Sequence, residues 1–174
     1  ITSIMQDFSS NPNLSCFAFW YTPYACQDIN NFIFPSGMSC FSTWCTSLYG
    51  DIGQFVPPTC LDTLGIEASH IGGNISEFEP NEGLRYLYLS CNNISGNSAM
   101  MGITENLFDI FLYQNSGITF NLNEVTNYNT CNLNNLDISY TNCVCGDLSK
   151  IIIPYNLCCL RWEGTPSDSD LSKL

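Results

Sequence analysis

Eleven cysteines and a single histidine set the chemical options of this 174-residue chain. The cysteines are scattered, not grouped in CxxC pairs: the one CxC is Cys143-Val144-Cys145, and the one adjacent pair is Cys158-Cys159. Zinc sites draw on closely spaced Cys and His ligands, so neither a metal nor a cofactor is expected. Disulfides made in an oxidising compartment fit this usage better, with Cys16, Cys40, Cys26, Cys60, Cys143, Cys145, Cys158 and Cys159 as the candidates. Because eleven is odd, one thiol is free or bridges two chains. Three N-x-S sequons, at Asn13, Asn74 and Asn93, are compatible with a secretory route and make the protein a candidate glycoprotein.

Catalytic residue sets are hard to assemble. His70 is the only histidine, and spacing assigns it no Ser or Cys nucleophile. The carboxylates Glu77, Glu79 and Glu82 read as a solvated cluster rather than a glycosidase pair. The expectation is therefore a protein that is not an enzyme. Its 16 acidic against 4 basic residues give a formal charge of −12, which argues against nucleic acid and against an anionic membrane surface. No apolar run reaches the length of a spanning helix, so membrane insertion is not expected. No signal peptide is visible at Ile1, and the chain reads as a mature product or an excerpt of something longer.

The elements that must position these residues are best seen in LRYLYLSCNNISG, residues 84–96. Leu87 and Leu89 alternate as in a short strand, which turns Tyr86, Tyr88 and Ser90 to the opposite face. Asn92 can satisfy backbone groups where the chain turns, and Gly96 permits the turn. The spacing of apolar residues at the first position and three, five and ten places later returns along the chain. Leu14, Phe17, Phe19 and Tyr24 fit it, as do Met38, Phe41 and Leu48, then Leu61, Leu64, Ile66 and Ile71. With one residue inserted, Leu107, Ile110, Leu112 and Ile118 fit, and so do Leu133, Leu136, Ile138 and Val144. Starts at 14, 38, 61, 84, 107 and 133 give a period of 23 to 26 residues. A second register agrees: a glycine turn, then Asp or Asn, then an apolar residue, as in Ile71-Gly72-Gly73-Asn74-Ile75 and Val144-Cys145-Gly146-Asp147-Leu148. Two patterns locked at one period mark a solenoid.

The unit LxxLxLxxNxI resembles the leucine-rich repeat family, and the IxGNI step after it is similar to the LxGxIP of the extracellular, plant-type subclass. The resemblance covers residues 14–148. It departs where Thr22, Thr46, Ser69 and Thr141 replace the Asn, where the IP proline is missing, and where the first two repeats carry aromatics and cysteines. It implies a leucine-rich-repeat coil with a parallel β-sheet on the concave face, an irregular or short 3-10 convex side, and disulfide-stapled ends. Domain organisation follows: an N-terminal lead-in or cap over 1–13, six repeats over 14–148, and a C-terminal cap and tail over 149–174. Cys143, Cys145, Cys158 and Cys159 resemble a cysteine-bearing C-terminal cap. The polar tail GTPSDSDLSKL is flexible by composition unless it docks, for example on a neighbouring chain.

In such a coil each repeat adds one parallel strand, about 4.8 Å from the next, and the residues between the apolar ones form one outer sheet face. That face carries Trp20, Tyr21, Trp44, Glu67, Tyr86, Tyr88, Asp109, Phe111, Tyr113, Asp137 and Tyr140. It is aromatic and acidic, the make-up of a protein or glycan interface. Cys16 and Cys40 fall at one place in adjacent repeats, at a spacing compatible with a disulfide. Cys91 has no cysteine beside it in the repeats on either side, and is the candidate free or interchain thiol. Asp51, Asn74, Asn97, Asn121 and Asp147 form a ladder suited to holding turn backbones, with calcium the alternative. Two functions remain open: a secreted, extracellular recognition module for a protein or glycan ligand, or a structural subunit that binds copies of itself in a filament or surface layer, using an ordered tail.

Overall fold

The computed structural model describes residues 7–124, 132–147, 149 and 153–167. Among these residues the chain forms β1 (Cys16–Thr22), β2 (Cys40–Thr46), β3 (Tyr49–Asp51), β4 (Thr63–Glu67), β5 (His70–Gly72), β6 (Tyr86–Tyr88), β7 (Ser95–Asn97), β8 (Asp109–Phe111), β9 (Gly117–Asn121), β10 (Asn135–Asp137), β11 (Cys143–Cys145) and β12 (Cys159–Arg161). The strands β1-β2-β4-β6-β8-β10-β12 make one parallel seven-stranded sheet. The short strands between them pair as β3-β5 and β7-β9-β11, and an Asn74–Ser95 bridge joins the two sets. The first five coils are each followed by a 3-10 turn, as at Ile52–Gln54 and Ile75–Glu77, and the described residues hold no α-helix. The chain is thus a parallel-β repeat solenoid.

The core is the apolar ladder read from the sequence. Leu61, Leu64, Ile66 and Ile71, then Leu84, Leu87, Leu89 and Ile94, are fully buried, one coil stacked on the next. Burying each such side chain is worth about 1.5–3 kcal/mol. At the N-terminal end the leucines give way to rings. Phe8 meets Phe17 at 4.6 Å between centroids, and Phe34 meets Phe41 at 5.1 Å. Here the spacing misassigns one residue: Tyr24 is 77% exposed, and Ala25 is buried in its place. The turn after β1 contains Pro23 and is closed by the Ala25 N–H on the Thr22 carbonyl, which rolls Tyr24 outward.

Both polar ladders are structural. Asn92 is buried, donates through Nδ2 to the Ile66 and Leu89 carbonyls (2.6 and 3.0 Å) and accepts from the Ile71 N–H (3.1 Å). Asn115 repeats this one coil on, reaching the Leu89 and Leu112 carbonyls and the Ile94 N–H. Where hydroxyls replace the amide they pair instead, Thr46 with Ser69 at 2.7 Å, while Thr141 donates to the Ile138 carbonyl at 2.8 Å. In the second ladder, Asp51, Asn74, Asn97, Asn121 and Asp147 each accept a backbone N–H two residues ahead, capping the turn that follows.

The stretch read as a C-terminal cap contains a seventh coil. Strand β12 pairs in parallel with β10, and Leu157, Leu160, Trp162 and Thr165 stand 24 residues after Leu133, Leu136, Ile138 and Thr141. The tail beyond Ser167 and the end of the repeat pattern at Leu148 lie outside the described residues, as does Cys131.

Candidate binding face

The outer face of the seven-stranded sheet is organised in rows. Register pairs align Cys16, Cys40, Thr63, Tyr86, Asp109, Asn135 and Cys159 in the first row. The second row is Ala18, Ser42, Gly65, Tyr88, Phe111, Asp137 and Arg161. The third begins with Trp20, Trp44 and Glu67. It continues past the formal strand ends through backbone bonds from Ala68 N–H to the Ser90 carbonyl, Cys91 to Tyr113, and Gln114 to Ser139.

A fourth column ends each strand with a left-handed residue: Tyr21, Cys45, Ala68, Cys91, Gln114 and Tyr140 have φ between 48° and 57°. Gly164 holds the place in the seventh coil at φ 63°. Non-glycine residues adopt this conformation at a cost of about 1 kcal/mol or more. In four of these turns the next residue reaches back to a strand carbonyl: Ser69 to Glu67, Asn92 to Leu89, Asn115 to Leu112 and Thr141 to Ile138.

These rows gather the aromatic residues into two walls. Trp20 and Trp44 are neighbours on β1 and β2, and the Tyr21 ring meets Trp44 edge-on at 4.7 Å. Tyr88 and Phe111 lie 5.1 Å apart on β6 and β8, with Tyr86 at 6.3 Å from Tyr88. Between the walls the second row is small, with Ser42 and Gly65. A Cβ on Gly65 would come 3.1 Å from the Ser42 hydroxyl, so the backbone there is closely covered. The result is an open trough of about 570 Å³ lined by Trp20, Tyr21, Ser42, Thr43, Trp44, Glu67 and Tyr113.

Electrostatically the face is acidic. The Tyr88 hydroxyl donates to Asp109 Oδ2 at 3.3 Å, and burial followed by the Asp109 charge pushes its pKa up to about 12. Burial raises the Glu67 carboxyl above its ordinary value. Burial and then the Glu67 charge raise both Tyr113 and the Cys91 thiol. Tyr140 stands apart at the margin, donating to Glu163 Oε1 at 3.1 Å. Asp137 faces Arg161 at 3.9 Å, a cation that entered the face with the seventh coil and was missed from the sequence. The 24-residue offset of Leu157, Leu160 and Trp162 was the signal for it.

Two solved plant proteins have a similar fold. A crystal structure of a plant ice-binding protein matches with a TM-score of 0.63 and 21% identity over 90% of this chain and 51% of that one. The plant peptide hormone receptor RGFR1, solved in complex with RGF2, matches with a TM-score of 0.56 and 19% identity over 83% of this chain and 28% of that one. The chain therefore spans about half the length of the first and under a third of the second, and what it shares with them is fold. No protein-family model matches the sequence, and no curated protein matches it.

Of the cysteines, the structure brings Cys16 and Cys40 into direct register on β1 and β2. Burial, then a hydrogen bond with Cys16, pushes the Cys40 thiol up to about 11. Cys143 and Cys145 sit on β11, in the other sheet from Cys159, and Asn134 donates to Cys158 Sγ at 3.1 Å. Cys26, Cys60 and Cys158 are exposed, while Cys143, Cys145 and Cys159 are half-buried. The Cys91 thiol donates to Gln114 Oε1 at 2.8 Å. Asn13 and Asn93 are exposed, whereas Asn74 is half-buried in its cap and donates to Glu77 Oε1 at 2.9 Å. Glu77, Glu79 and Glu82 are exposed. No cluster of three or more His, Cys, Asp or Glu among the described residues is arranged to hold a metal, and no described helix is long and apolar enough to cross a membrane.

Proposed function

We propose that this chain is an extracellular, non-catalytic module of leucine-rich-repeat type that recognises a protein ligand through the concave, aromatic–acidic face of its seven-stranded sheet. The observation that carries this reading is the open trough lined by Trp20, Trp44, Glu67 and Tyr113, beside the Tyr88–Phe111 pair, which leaves large rings standing on a sheet with no covering element among the described residues. Rings held this way offer contact area at little entropic cost. Support also comes from the fold, which is shared with a receptor solved in complex with RGF2. The test is selection from a displayed peptide library and, in parallel, from a glycan array, repeated with Tyr88→Ser and Phe111→Ser. Loss of the selected binders in the double variant is expected. Unchanged binding of every selected protein or glycan ligand overturns the reading.

A second reading, self-assembly as a structural subunit, is favoured by one observation. The seven-residue strand β1 pairs only with β2 among the described residues, and its open side is flanked by an apolar groove containing Phe17, Phe19, Tyr24 and Ala25. Long open edges invite strand addition. A monomer in sedimentation velocity at micromolar concentration rules this reading out.

A further inference from the structure

Resting on the recognition reading, we propose a specific occupant for the trough: the guanidinium or ammonium group of an arginine or lysine on an extended peptide, seated against Glu67.

The third row places Glu67 directly beside Trp44, with Trp20 beyond it and Tyr113 on the far side of Ser90. Its carboxylate makes no hydrogen bond or ion pair with any described residue, although it is half-buried. The chain has four cations in all. Arg85 lies over the Tyr86 ring and 4.0 Å from Asp62, and Arg161 lies against Asp137. Lys150 and Lys173 fall outside the described residues. A half-buried carboxylate without a counter-charge is costly to keep, and an incoming cation relieves that cost. The Ser90 hydroxyl beside it is buried and also without a partner among the described residues.

The surroundings select the kind of cation. Ring faces attract weakly hydrated, delocalised cations, and a guanidinium most of all. A divalent metal would need several oxygen ligands, and here there is one carboxylate between rings. Asp109, two strands from Glu67 on β8, adds negative charge to the same face, which repels an acidic ligand and steers a basic one, whereas Asp137 one strand further is offset by Arg161. The second wall sets the spacing. Phe111 is two strands from Glu67, about 9–10 Å across the sheet. A polyproline-II peptide repeats every three residues at about 3.1 Å per residue, so it offers a side chain on the same edge every 9 Å or so. The motif expected is a cation and an apolar residue three positions apart.

The test uses four fluorescein-labelled peptides, Gly-Pro-X-Pro-Pro-Phe-Pro-Gly with X as Arg, Lys, Gln or Glu, titrated by fluorescence anisotropy. Arg and Lys peptides are expected to bind about ten-fold tighter than the Gln peptide, the Glu peptide weakest, with the preference shrinking at high salt. Glu67→Gln should erase the preference of the Arg and Lys peptides over the Gln peptide. Equal binding of the Arg and Gln peptides, a preference that survives Glu67→Gln, or no Arg-peptide binding up to millimolar concentration each overturns the proposal. Equal binding that is then lost with Tyr88→Ser and Phe111→Ser removes the cation seat and keeps the broader recognition reading.

Discussion

Asn92→Ala tests whether the amide ladder holds the coils together. Asn92 is the junction of two coils, because it donates to the Ile66 carbonyl and accepts from the Ile71 N–H one coil back while also donating to the Leu89 carbonyl of its own. Ile66 and Ile71 are fully buried, so water cannot replace the lost partner without opening the core. Leaving a buried donor and a buried acceptor unsatisfied costs about 1–3 kcal/mol each, about 2–6 kcal/mol in total. For a chain of this size that corresponds to roughly 4–24 °C in Tm. Asn92→Thr should cost about half as much, since Thr141 shows that a hydroxyl at this place reaches the carbonyl three residues back. Urea unfolding followed by far-UV circular dichroism, with calorimetry for Tm, measures both. A loss below about 1 kcal/mol for Ala, or equal losses for Ala and Thr, would show that the ladder is not what joins the coils.

Three other expectations follow from particular residues. Burial holds the folded Glu67 pKa above its ordinary 4.5, so its charged form opposes folding: the penalty is absent below that value and complete once pH exceeds the raised one. Glu67→Gln should therefore raise Tm at pH 7 and leave it unchanged at pH 3.5, and a variant less stable at pH 7 would contradict this assignment. Oxidised glutathione should accept two electrons and two protons from Cys16 and Cys40 as they form a bridge, stabilising the protein by about 3 kcal/mol for a loop of some 25 residues. Thiol titration should fall by two, and Cys16→Ser should abolish both effects; a full thiol count after oxidation rejects the bridge. Expressed through a eukaryotic secretory pathway, the protein should carry glycan at Asn93 and Asn13 in preference to Asn74, whose amide is engaged by Glu77 and Ser76. Peptide-level mass spectrometry with equal occupancy at all three sites would count against it.

How much was legible in the sequence depends on whether a property lives within one coil or between coils. Leu84, Leu87, Leu89 and Ile94 were readable because period-2 and period-23 spacing alone decides which side chains face inward. The sheet-face residues were readable for the same reason, and the register of Trp20, Trp44 and Glu67 follows from the 24- and 23-residue steps. The seventh coil was obscured because Trp162 stands where Ile138 stands one coil earlier, the adjacent Cys158 and Cys159 draw attention to a cap, and no glycine step follows within the described chain. The left-handed column was hidden more deeply. Tyr, Cys, Ala and Gln do not announce a positive φ, since local preference for it belongs to Gly and Asn, and here the stacked turn overrides local preference. Tyr24 was misplaced because a proline-containing turn shifts the coil by one residue, which spacing by itself does not register.

The solenoid divides its residues by direction, and that division locates the functional argument. Inward positions repeat the same apolar types from coil to coil, so they carry stability and little individuality. Outward positions are free to differ, and where they break the rule for a stable surface the breakage needs a reason. The Tyr88–Phe111 pair taken alone has a sufficient one, because rings favour strands. Glu67 does not: a half-buried carboxylate near Trp44 and Tyr113 has its charged form disfavoured by burial, raises the pKa of its neighbours, and has no counter-charge from the described chain. A change that raises stability at neutral pH while erasing preference for a cationic peptide separates a binding group from a structural one, because loss of a structural group lowers stability instead.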